Sequence, residues 1–275
     1  MIYYKTDDEI DQIQESCLIV SKTLAHVASL IKPGANGKDI DASAEEYMRS
    51  LGAVPAFKGY KGFPATLCWS VNEAVVHGIP DLRPIEEGDI ISVDCGSTKN
   101  GFYGDSAFTF AVGQVKPDTL DLLVTTLESL YIGINTIDIN NRIGDLGFAI
   151  QTYVEERGYS VVRELVGHGV GRSLHEDPEV PNYGRRGNGV KFKHGLVIAI
   201  EPMVNLGKKD VSKGKDGWTI VSADKSPSAH YEHTVAFTKD GVKILSDNTF
   251  IEQAIKKNQY LSEISINNSI FALRK

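Results

Sequence analysis

Two aspartates on neighbouring β-rich stretches are the first residues that could do chemistry together. Asp94 precedes Asn100-Gly101 and Asp105 follows it, and an Asn-Gly pair between two apolar runs is a strong signal for a hairpin turn. We predict pairing across a turn centred near residues 99 and 100, which places Asp94 opposite Asp105 on one face. Because like charges at that distance repel each other, we expect a cation between the two carboxylates.

Three later residues could complete a cation site. His168 lies within Gly167–Gly171, where alternate glycines remove bulk as if the backbone had to approach an ion or substrate, although a flexible turn explains that stretch equally well. Glu201 follows the apolar run L-V-I-A-I, and Glu232 lies inside a predicted strand. A carboxylate in either place needs a partner or a metal ion, because burying it alone is unfavourable.

The resulting constellation holds four carboxylates and one imidazole. Four ionised carboxylates are balanced by two divalent cations, and oxygen ligands with one histidine favour Mn, Fe or Co over a thiolate-type zinc site. Two such ions lower the pKa of a bridging water and stabilise a tetrahedral oxyanion, which is hydrolytic chemistry. The sequence therefore predicts a two-metal hydrolase with the ligands Asp94, Asp105, His168, Glu201 and Glu232.

The elements that must position these ligands are predicted in a repeated order. A long helix, a shorter helix and antiparallel strands occur in residues 6–112 and again in 118–246. This order predicts an α+β fold of two halves that share one sheet, with a site where the halves meet. We assign residues 1–248 to a single catalytic domain and leave 249–275 as a C-terminal tail without an assigned role. The predicted helices span 6–31, 39–51, 118–136 and 143–157, and the strands span 66–71, 90–112, 160–166, 196–201, 217–222, 230–238 and 242–246.

Composition limits the remaining function classes. The 275 residues are 41% hydrophobic and can bury one large core, and a net charge of −7 argues against nucleic-acid affinity through a basic face. Cys17, Cys68 and Cys95 form neither a disulfide framework nor a zinc pair. No run approaches the ~18 apolar residues of a membrane-spanning helix. We expect a cytoplasmic protein with no nucleic-acid or membrane partner.

Other candidate residues are ambiguous when each is considered alone. His77 precedes a Gly-Ile-Pro turn, where a histidine is more often structural, and His175 stands beside acidic residues that could simply be solvated. The loop 53–64 carries Tyr60 and Phe63, which could line a pocket or cap the core.

Six stretches of this chain together resemble the type I methionine aminopeptidases. They cover roughly residues 5–246, and the resemblance implies the pita-bread fold, a pseudo-twofold repeat of two helices plus antiparallel strands around a curved central sheet. The stretches are V-D-C-G-S-T-K-N-G-F-Y-G-D, E-L-V-G-H-G-V-G-R-S-L-H-E-D-P, I-A-I-E-P-M-V, Y-E-H-T-V, N-E-A-V-V-H-G-I-P and K-D-G-W-T.

The resemblance also implies roles for individual residues. The five ligands above would hold two divalent ions (Co, Mn, Fe or Zn), with Asp105 and Glu232 bridging both, and Glu201 would also act as the general base. His175 would stabilise the oxyanion or position the scissile carbonyl, and His77 would contact the substrate backbone. The pocket for the methionine side chain would be lined by Tyr60, Phe63, Cys68 and Trp218.

The implied activity is removal of the initiator methionine from nascent proteins whose second residue is small, by attack of a water or hydroxide bridging the two metals. The implied partners are N-terminal methionine peptides and nascent chains, with transient proximity to the ribosome and a monomeric enzyme. Phe63, Leu174 and Phe57 depart from common family residues, which affects the expected pocket shape and not the reaction class.

Three other protein classes remain as alternatives. An X-Pro aminopeptidase or prolidase-like peptidase shares the fold and ligand types, but carries a large N-terminal domain for which the helix starting near Thr6 leaves no room. A type II methionine aminopeptidase has a helical insertion that does not fit between Glu201 and Glu232. A non-enzymatic binding protein on this fold would have lost metal ligands, whereas all five are present here.

Overall fold

The structure is a computed structural model that describes residues 1–266. Two helix pairs pack beside antiparallel sheets, in the order that the sequence predicts: a long helix, a shorter helix, then strands, twice. The helices are α1 (Asp7–Leu30), α2 (Gly37–Ser50), α3 (Pro117–Asn135), α4 (Ile143–Glu155) and α5 (Thr249–Lys257), with a 3₁₀ turn at Tyr60–Gly62.

The strands divide between the two halves and the C-terminal segment. They are β1 (Val54–Pro55), β2 (Leu67–Val71), β3 (Ala74–Val76), β4 (Ile90–Lys99), β5 (Phe102–Val112), β6 (Ser160–Val161), β7 (Gly167–Gly169), β8 (Glu176–Val180), β9 (Leu196–Ile200), β10 (Met203–Asn205), β11 (Val211–Lys213), β12 (Ile220–Ser222), β13 (Ser228–His230), β14 (His233–Thr238), β15 (Gly241–Ile244) and β16 (Leu261–Ser262).

Side-chain caps fix where the first two helices begin. Thr6 Oγ1 accepts the N–H of Glu9 at 3.2 Å, and the Glu9 carboxylate accepts the N–H of Thr6 at 3.1 Å, which together form a capping box. The helix α2 begins two residues before its predicted start because Asn36 Oδ1 accepts the N–H of Asp39 at 3.0 Å. The apolar stripe of α1 is buried along its length.

The hairpin β4–β5 corrects the predicted register. Asn100 and Gly101 both have positive φ, 53° and 78°, so the turn is centred between them and Lys99 pairs with Phe102. Asp94 therefore lies opposite Ala107, and Asp105 lies opposite Gly96. The prediction that Asp94 faces Asp105 directly was wrong by two residues. An even shift keeps both carboxylates on one face, as diagonal neighbours.

Two five-stranded sheets form the centre of the molecule. One has the order β1-β4-β5-β16 with β2 also paired to β4, and the other has the order β15-β14-β9-β7-β8. They meet where the Glu232 N–H donates to Ala107 O at 3.0 Å and the Thr234 hydroxyl donates to Asp105 O at 2.8 Å. We call this junction of β5 with the start of β14 the seam. It joins the two halves into one curled antiparallel surface.

Several predicted strands are shorter in the structure. The strand predicted at 160–166 ends at Val161, and the one predicted at 230–238 is interrupted, so Glu232 lies between β13 and β14 and not inside a strand. Thr238 pairs with Gly241, which places Lys239 and Asp240 in the last hairpin loop.

The described part of the C-terminal segment packs on the first half. Ile251 and Ile255 of α5 are buried in the main core beside α1, and β16 pairs with β5 through Leu261 and Val112. Asn258 anchors the segment by donating to Ala28 O and Ile31 O, each at 2.7 Å. Residues 267–275 of the predicted tail lie outside the described residues. No helix within residues 1–266 is long and apolar enough to cross a bilayer.

Candidate metal centre and substrate pocket

One small cavity gathers the predicted site residues. Its volume is about 160 Å³, which suits a single side chain better than a drug-sized ligand. The structure brings to its lining every residue that the sequence singles out for a role, namely Tyr60, Phe63, Cys68, His77, Asp94, Asp105, His168, His175, Glu201, Trp218 and Glu232.

Strands from both halves deliver the five ligand candidates to the floor of this cavity. Asp94 and Asp105 come from β4 and β5 of the first half, and His168 comes from β7 of the second. Glu201 directly follows β9, and Glu232 directly precedes β14 at the seam. The side-chain oxygen or nitrogen atoms of Asp105, His168 and Glu232 lie within 4.8 Å of one another.

Crowding and burial make these carboxyls weak acids when no cation is present. Burial raises the pKa of Asp94 to about 7. The pKa of Asp105 is raised well above its usual value by burial and by the charges of Glu232 and Asp94. Burial and neighbouring carboxylates likewise raise the pKa of Glu201 and of Glu232. Four such groups repel each other unless a cation screens them.

The orphaned atoms at this floor fit divalent metal ions. Three carboxylate oxygens are buried here without a hydrogen-bond partner among the described residues, namely Asp94 Oδ1, Asp105 Oδ1 and Glu232 Oε1. His168 donates from Nδ1 to Gly169 O at 2.9 Å, which leaves the lone pair of Nε2 facing Glu201 and Asp105 at 3.6 and 3.9 Å. A set of oxygen donors with one neutral imidazole is the donor chemistry of Mn, Fe and Co, and of some Zn sites.

The glycines beside His168 serve a purpose different from the predicted one. A Cβ on Gly167 would lie 2.3 Å from Ala199 O, and one on Gly169 would lie 2.3 Å from Asp177 O. The space is occupied by the neighbouring strands β9 and β8, not by an ion or a substrate. These glycines therefore let β7 fit between its neighbours, and this close fit holds His168 in place.

Two neutral histidines lie above the floor of the cavity. Burial and the nearby His168 lower the pKa of His175 to about 3, and the Tyr60 hydroxyl lies 3.0 Å from its Nδ1. Burial also lowers the pKa of His77, whose backbone has the left-handed φ of 58°. Since left-handed backbone is strained in a residue other than glycine, the fold fixes His77 at this place at an energetic cost.

The upper wall of the cavity is apolar. Phe63 meets Trp218 edge to face with ring centroids 5.2 Å apart, and Cys68 lies in the same cluster. Phe57 and Leu174, two of the positions that depart from the family pattern, are buried in this cluster as well. The departures thus lie on the pocket wall and leave the ligand set unchanged.

Sequence reasoning missed His230. Its Nε2 is buried without a hydrogen-bond partner among the described residues and lies 3.7 Å from Glu201 Oε2. Burial, with a contribution from His77, lowers the pKa of His230 to about 3. The signal was present in H-Y-E-H, two residues before Glu232, because a residue two positions away on extended chain shares a face with it. Lys61, at the rim of the cavity, was missed too and carries no comparable signal.

Comparison with known proteins decides the family. The sequence profile described as Metallopeptidase family M24 matches residues 11–239. The chain belongs to metallopeptidase family M24. This M24 peptidase is 49% identical over 247 residues to the methionine aminopeptidase of Clostridium acetobutylicum, covering 90% of this chain and 99% of the relative. It is 48% identical over 246 residues to methionine aminopeptidase 1 of Bacillus subtilis, again covering 90% and 99%.

Solved structures agree with this family assignment. The methionine aminopeptidase from Thermotoga maritima superposes with a TM-score of 0.88 at 44% identity, covering 90% of this chain and all of that one. The methionine aminopeptidase from Rickettsia prowazekii also gives 0.88, at 37% identity with the same coverage. The prolidase from Pyrococcus furiosus gives 0.72 at 25% identity and is covered over only 65% of its length.

These matches confirm the predicted resemblance and the pita-bread fold of this M24 peptidase. They also show that the chain is an enzyme of a family that uses divalent metal, so the alternative of a non-enzymatic binding protein on this fold is set aside. The M24 profile and the carboxylate and histidine floor agree on metal-dependent peptide hydrolysis.

Proposed function

We propose that this enzyme removes an N-terminal methionine from peptides and nascent proteins whose second residue is small. One observation carries the proposal: four carboxylates and the Nε2 of His168 converge at the floor of a cavity whose wall is apolar and whose volume is about 160 Å³. The relatives named methionine aminopeptidase support the same substrate class. The catalytic unit is proposed to lie within residues 1–248, which hold every residue of the site.

We propose two divalent ions as the cofactor. Four carboxylates match the charge of two such ions, and Asp105 and Glu232, which lie at the seam, would contact both. When bound, the ions polarise the scissile carbonyl and make water acidic enough to attack it near neutral pH. The carboxylate of Glu201 would accept the proton of that water and later pass it to the leaving amine.

The two cavity histidines would handle the substrate. If the Tyr60 hydroxyl donates to Nδ1 of neutral His175, the Nε2 atom carries the proton and can donate to the carbonyl oxygen as negative charge develops. His77 lines the same cavity and would contact the backbone of the substrate. A thioether side chain suits the aromatic wall formed by Phe63 and Trp218, since sulfur makes favourable contacts with ring edges.

The decisive experiment is release of methionine from Met-Ala-Ser and Met-Gly-Met by metal-free enzyme to which Mn or Co is added. We expect release from both peptides and none from an Ala-Pro peptide. Cleavage of Xaa-Pro substrates with no release of methionine would instead assign this enzyme to the X-Pro peptidases. Titration of activity against bound metal would test the proposed two ions, and saturation at one ion per chain would contradict them.

We further propose that the enzyme acts as a monomer in the cytoplasm, in transient proximity to the ribosome. Its cysteines, Cys17, Cys68 and Cys95, are all buried as free thiols, which suits a reducing compartment. Sedimentation at several protein concentrations tests the monomer, and co-sedimentation with translating ribosomes tests the proximity.

A further inference from the structure

A buried ion pair lies directly under the loop that carries His175. Lys5, just before α1, pairs with Glu176, the first residue of β8, and their side chains are only 5% and 7% exposed. Most ion pairs in the described part of this protein lie at the surface, where solvent weakens them. This pair is shielded from solvent, so each charge depends on the other.

Hydrogen bonds complete the surroundings of both charges. The Lys5 ammonium also donates to Tyr3 O at 2.8 Å, and Glu176 Oε1 accepts the N–H of Ser173 at 3.1 Å. The Lys5 N–H donates to Gly195 O at 2.7 Å, which fixes the backbone of Lys5 beside the strand β9. The pair therefore ties the loop between Ser173 and Glu176 to a fixed point outside it.

The chain before this loop is shaped around the pair. A Cβ on Gly171 would lie 2.6 Å from Glu176 Oε1 and 2.9 Å from Lys5 Nζ, so a larger residue there would have to displace the ends of the paired side chains. Gly171 is itself held because its carbonyl accepts the N–H of Tyr103 at 2.8 Å. The geometry of the loop and that of the ion pair thus depend on each other.

His175 is the covalent neighbour of Glu176 and shares its constraint. The His175 ring lies 4.2 Å from the His168 ring between centroids and its Nδ1 contacts the Tyr60 hydroxyl, while part of the residue is open to solvent. Ring contacts with Tyr60 and His168 act on the side chain, but they do not fix the backbone of the loop that carries it. The anchor next to it in the chain, Glu176, is the buried one.

We propose that Lys5 and Glu176 are positioning residues, which hold His175 where its ring can reach the substrate carbonyl. The inference rests on the proposed function, since it takes His175 to contact the substrate. Loss of the ion pair lets the loop move, and a displacement of about 1 Å at a group that acts on the reacting centre can lower the rate about 100-fold. Neither residue touches substrate or metal, so their effect passes through His175.

The test is a double-mutant cycle on turnover with Met-Ala-Ser, using Lys5→Met, His175→Ala and the two together. We expect Lys5→Met to lower kcat about 30- to 100-fold, with KM changed less than about threefold and metal content unchanged. Lys5→Arg should restore most of the loss, because it restores the charge. The double variant should be no slower than His175→Ala, since a residue that acts through His175 has nothing left to position.

Matched variants separate positioning from general destabilisation. Lys243→Met removes a lysine from an exposed pair with Asp11 and should leave kcat unchanged. If Lys5→Met does not fold, Glu176→Gln keeps the side-chain shape and an acceptor for the Ser173 N–H and should lower kcat in the same way. Unchanged kcat in the folded variants, or additive losses in the double variant, overturns the inference. A His175→Ala variant with unchanged kcat would refute the proposed role of His175 instead.

Discussion

Asp105 shows how one residue can be unfavourable for the fold and favourable for the site. It is 3% exposed, one of its oxygens has no hydrogen-bond partner among the described residues, and the charges of Glu232 and Asp94 act on it. A buried carboxylate beside other carboxylates is favourable only when cations compensate its charge. The Asp105 carboxylate should therefore stabilise the metal-bound protein and destabilise the metal-free protein.

We predict that Asp105→Asn loses metal and at least about 1,000-fold of its activity, but raises the melting temperature of EDTA-treated protein at pH 8. The amide removes one of four mutually repelling charges, so the metal-free fold gains stability while the metal site loses a ligand. Elemental analysis, methionine release and thermal unfolding measure the three effects. Asp240→Asn, an exposed turn carboxyl, is the control and should change none of them. Retained activity in Asp105→Asn would contradict the assignment of this ligand.

The pocket wall gives a second prediction at the level of single residues. We expect Trp218→Leu to raise KM for Met-Ala-Ser about tenfold, because it removes the edge-to-face contact with Phe63 and leaves the methionine side chain less enclosed. The value of kcat should change much less, since Trp218 lies away from the carboxylate floor. Leu82→Ala, which alters an exposed apolar residue, is the matched control. A loss confined to kcat would place Trp218 in the chemistry instead of the pocket.

At the scale of elements, the helices were predictable because their signals are local. Each signal lies within a few residues of the helix or helix end that it determines. Examples are the capping box at Thr6, the buried stripe of α1 and the glycines after α2 and α4. In α3, Leu120 is half-buried and Leu122 is fully buried, a difference that the apolar pattern of the helix does not predict. That difference follows from packing against other elements, which a single helix does not encode.

The α1 cap supports a prediction about stability. We expect Thr6→Ala to reduce the free energy of unfolding by about 1 kcal/mol and Thr6→Ser to preserve it, because the hydroxyl accepts the Glu9 N–H at 3.2 Å. The melting temperature should fall by about 2–4 °C for a domain of this size. Urea denaturation measures the change. An equal loss in the serine variant would show that the methyl group of Thr6, and not its hydroxyl, supplies the stability.

The sheets were harder to predict than the helices. The shift of the β4–β5 register by two residues arose because Asn100 and Gly101 are themselves the central turn residues, and the face shared by Asp94 and Asp105 survived only because the shift was even. The position of Glu232 between two strands depends on the seam with Ala107, a contact across 125 residues of sequence. Pairing between distant segments leaves no local signal. His230 differs in this respect, because its position two residues before Glu232 was a local signal, and only its approach to Glu201 depends on a distant segment.

At the scale of the whole molecule, the four raised carboxyl pKa values predict a pH dependence for metal-free protein. A carboxyl whose pKa is higher in the folded state binds a proton more tightly there. Its contribution to the free energy of unfolding is complete at pH values below the pKa of the unfolded state, near 4. That contribution disappears as the pH rises through the pKa of the folded state, which is about 7 for Asp94. The metal-free fold should therefore become less stable as pH rises.

We expect the melting temperature in EDTA to fall by roughly 10 °C between pH 5 and pH 8, since one pKa unit corresponds to about 1.4 kcal/mol and about 1 kcal/mol moves the melting temperature by about 2–4 °C. Added Mn should abolish the fall, because it stabilises the ionised carboxylates. Asp94→Asn should reduce the slope in EDTA, and Asp240→Asn should not. If the melting temperature changed with pH in the same way with and without metal, these carboxyls would not be the cause of the pH dependence of stability.

The seam has a consequence for how metal ions and motion are connected. The ligand candidates come from both halves, and the Glu232 N–H bonded to Ala107 O crosses between them. Any separation of the halves must break that bond and spread the ligands, so metal binding should raise the free energy of opening. We predict that the Glu232 amide hydrogen exchanges with solvent more slowly as metal is added, in proportion to occupancy, while the amide of exposed Asp240 does not respond. A single backbone hydrogen would then report how tightly the two halves are closed.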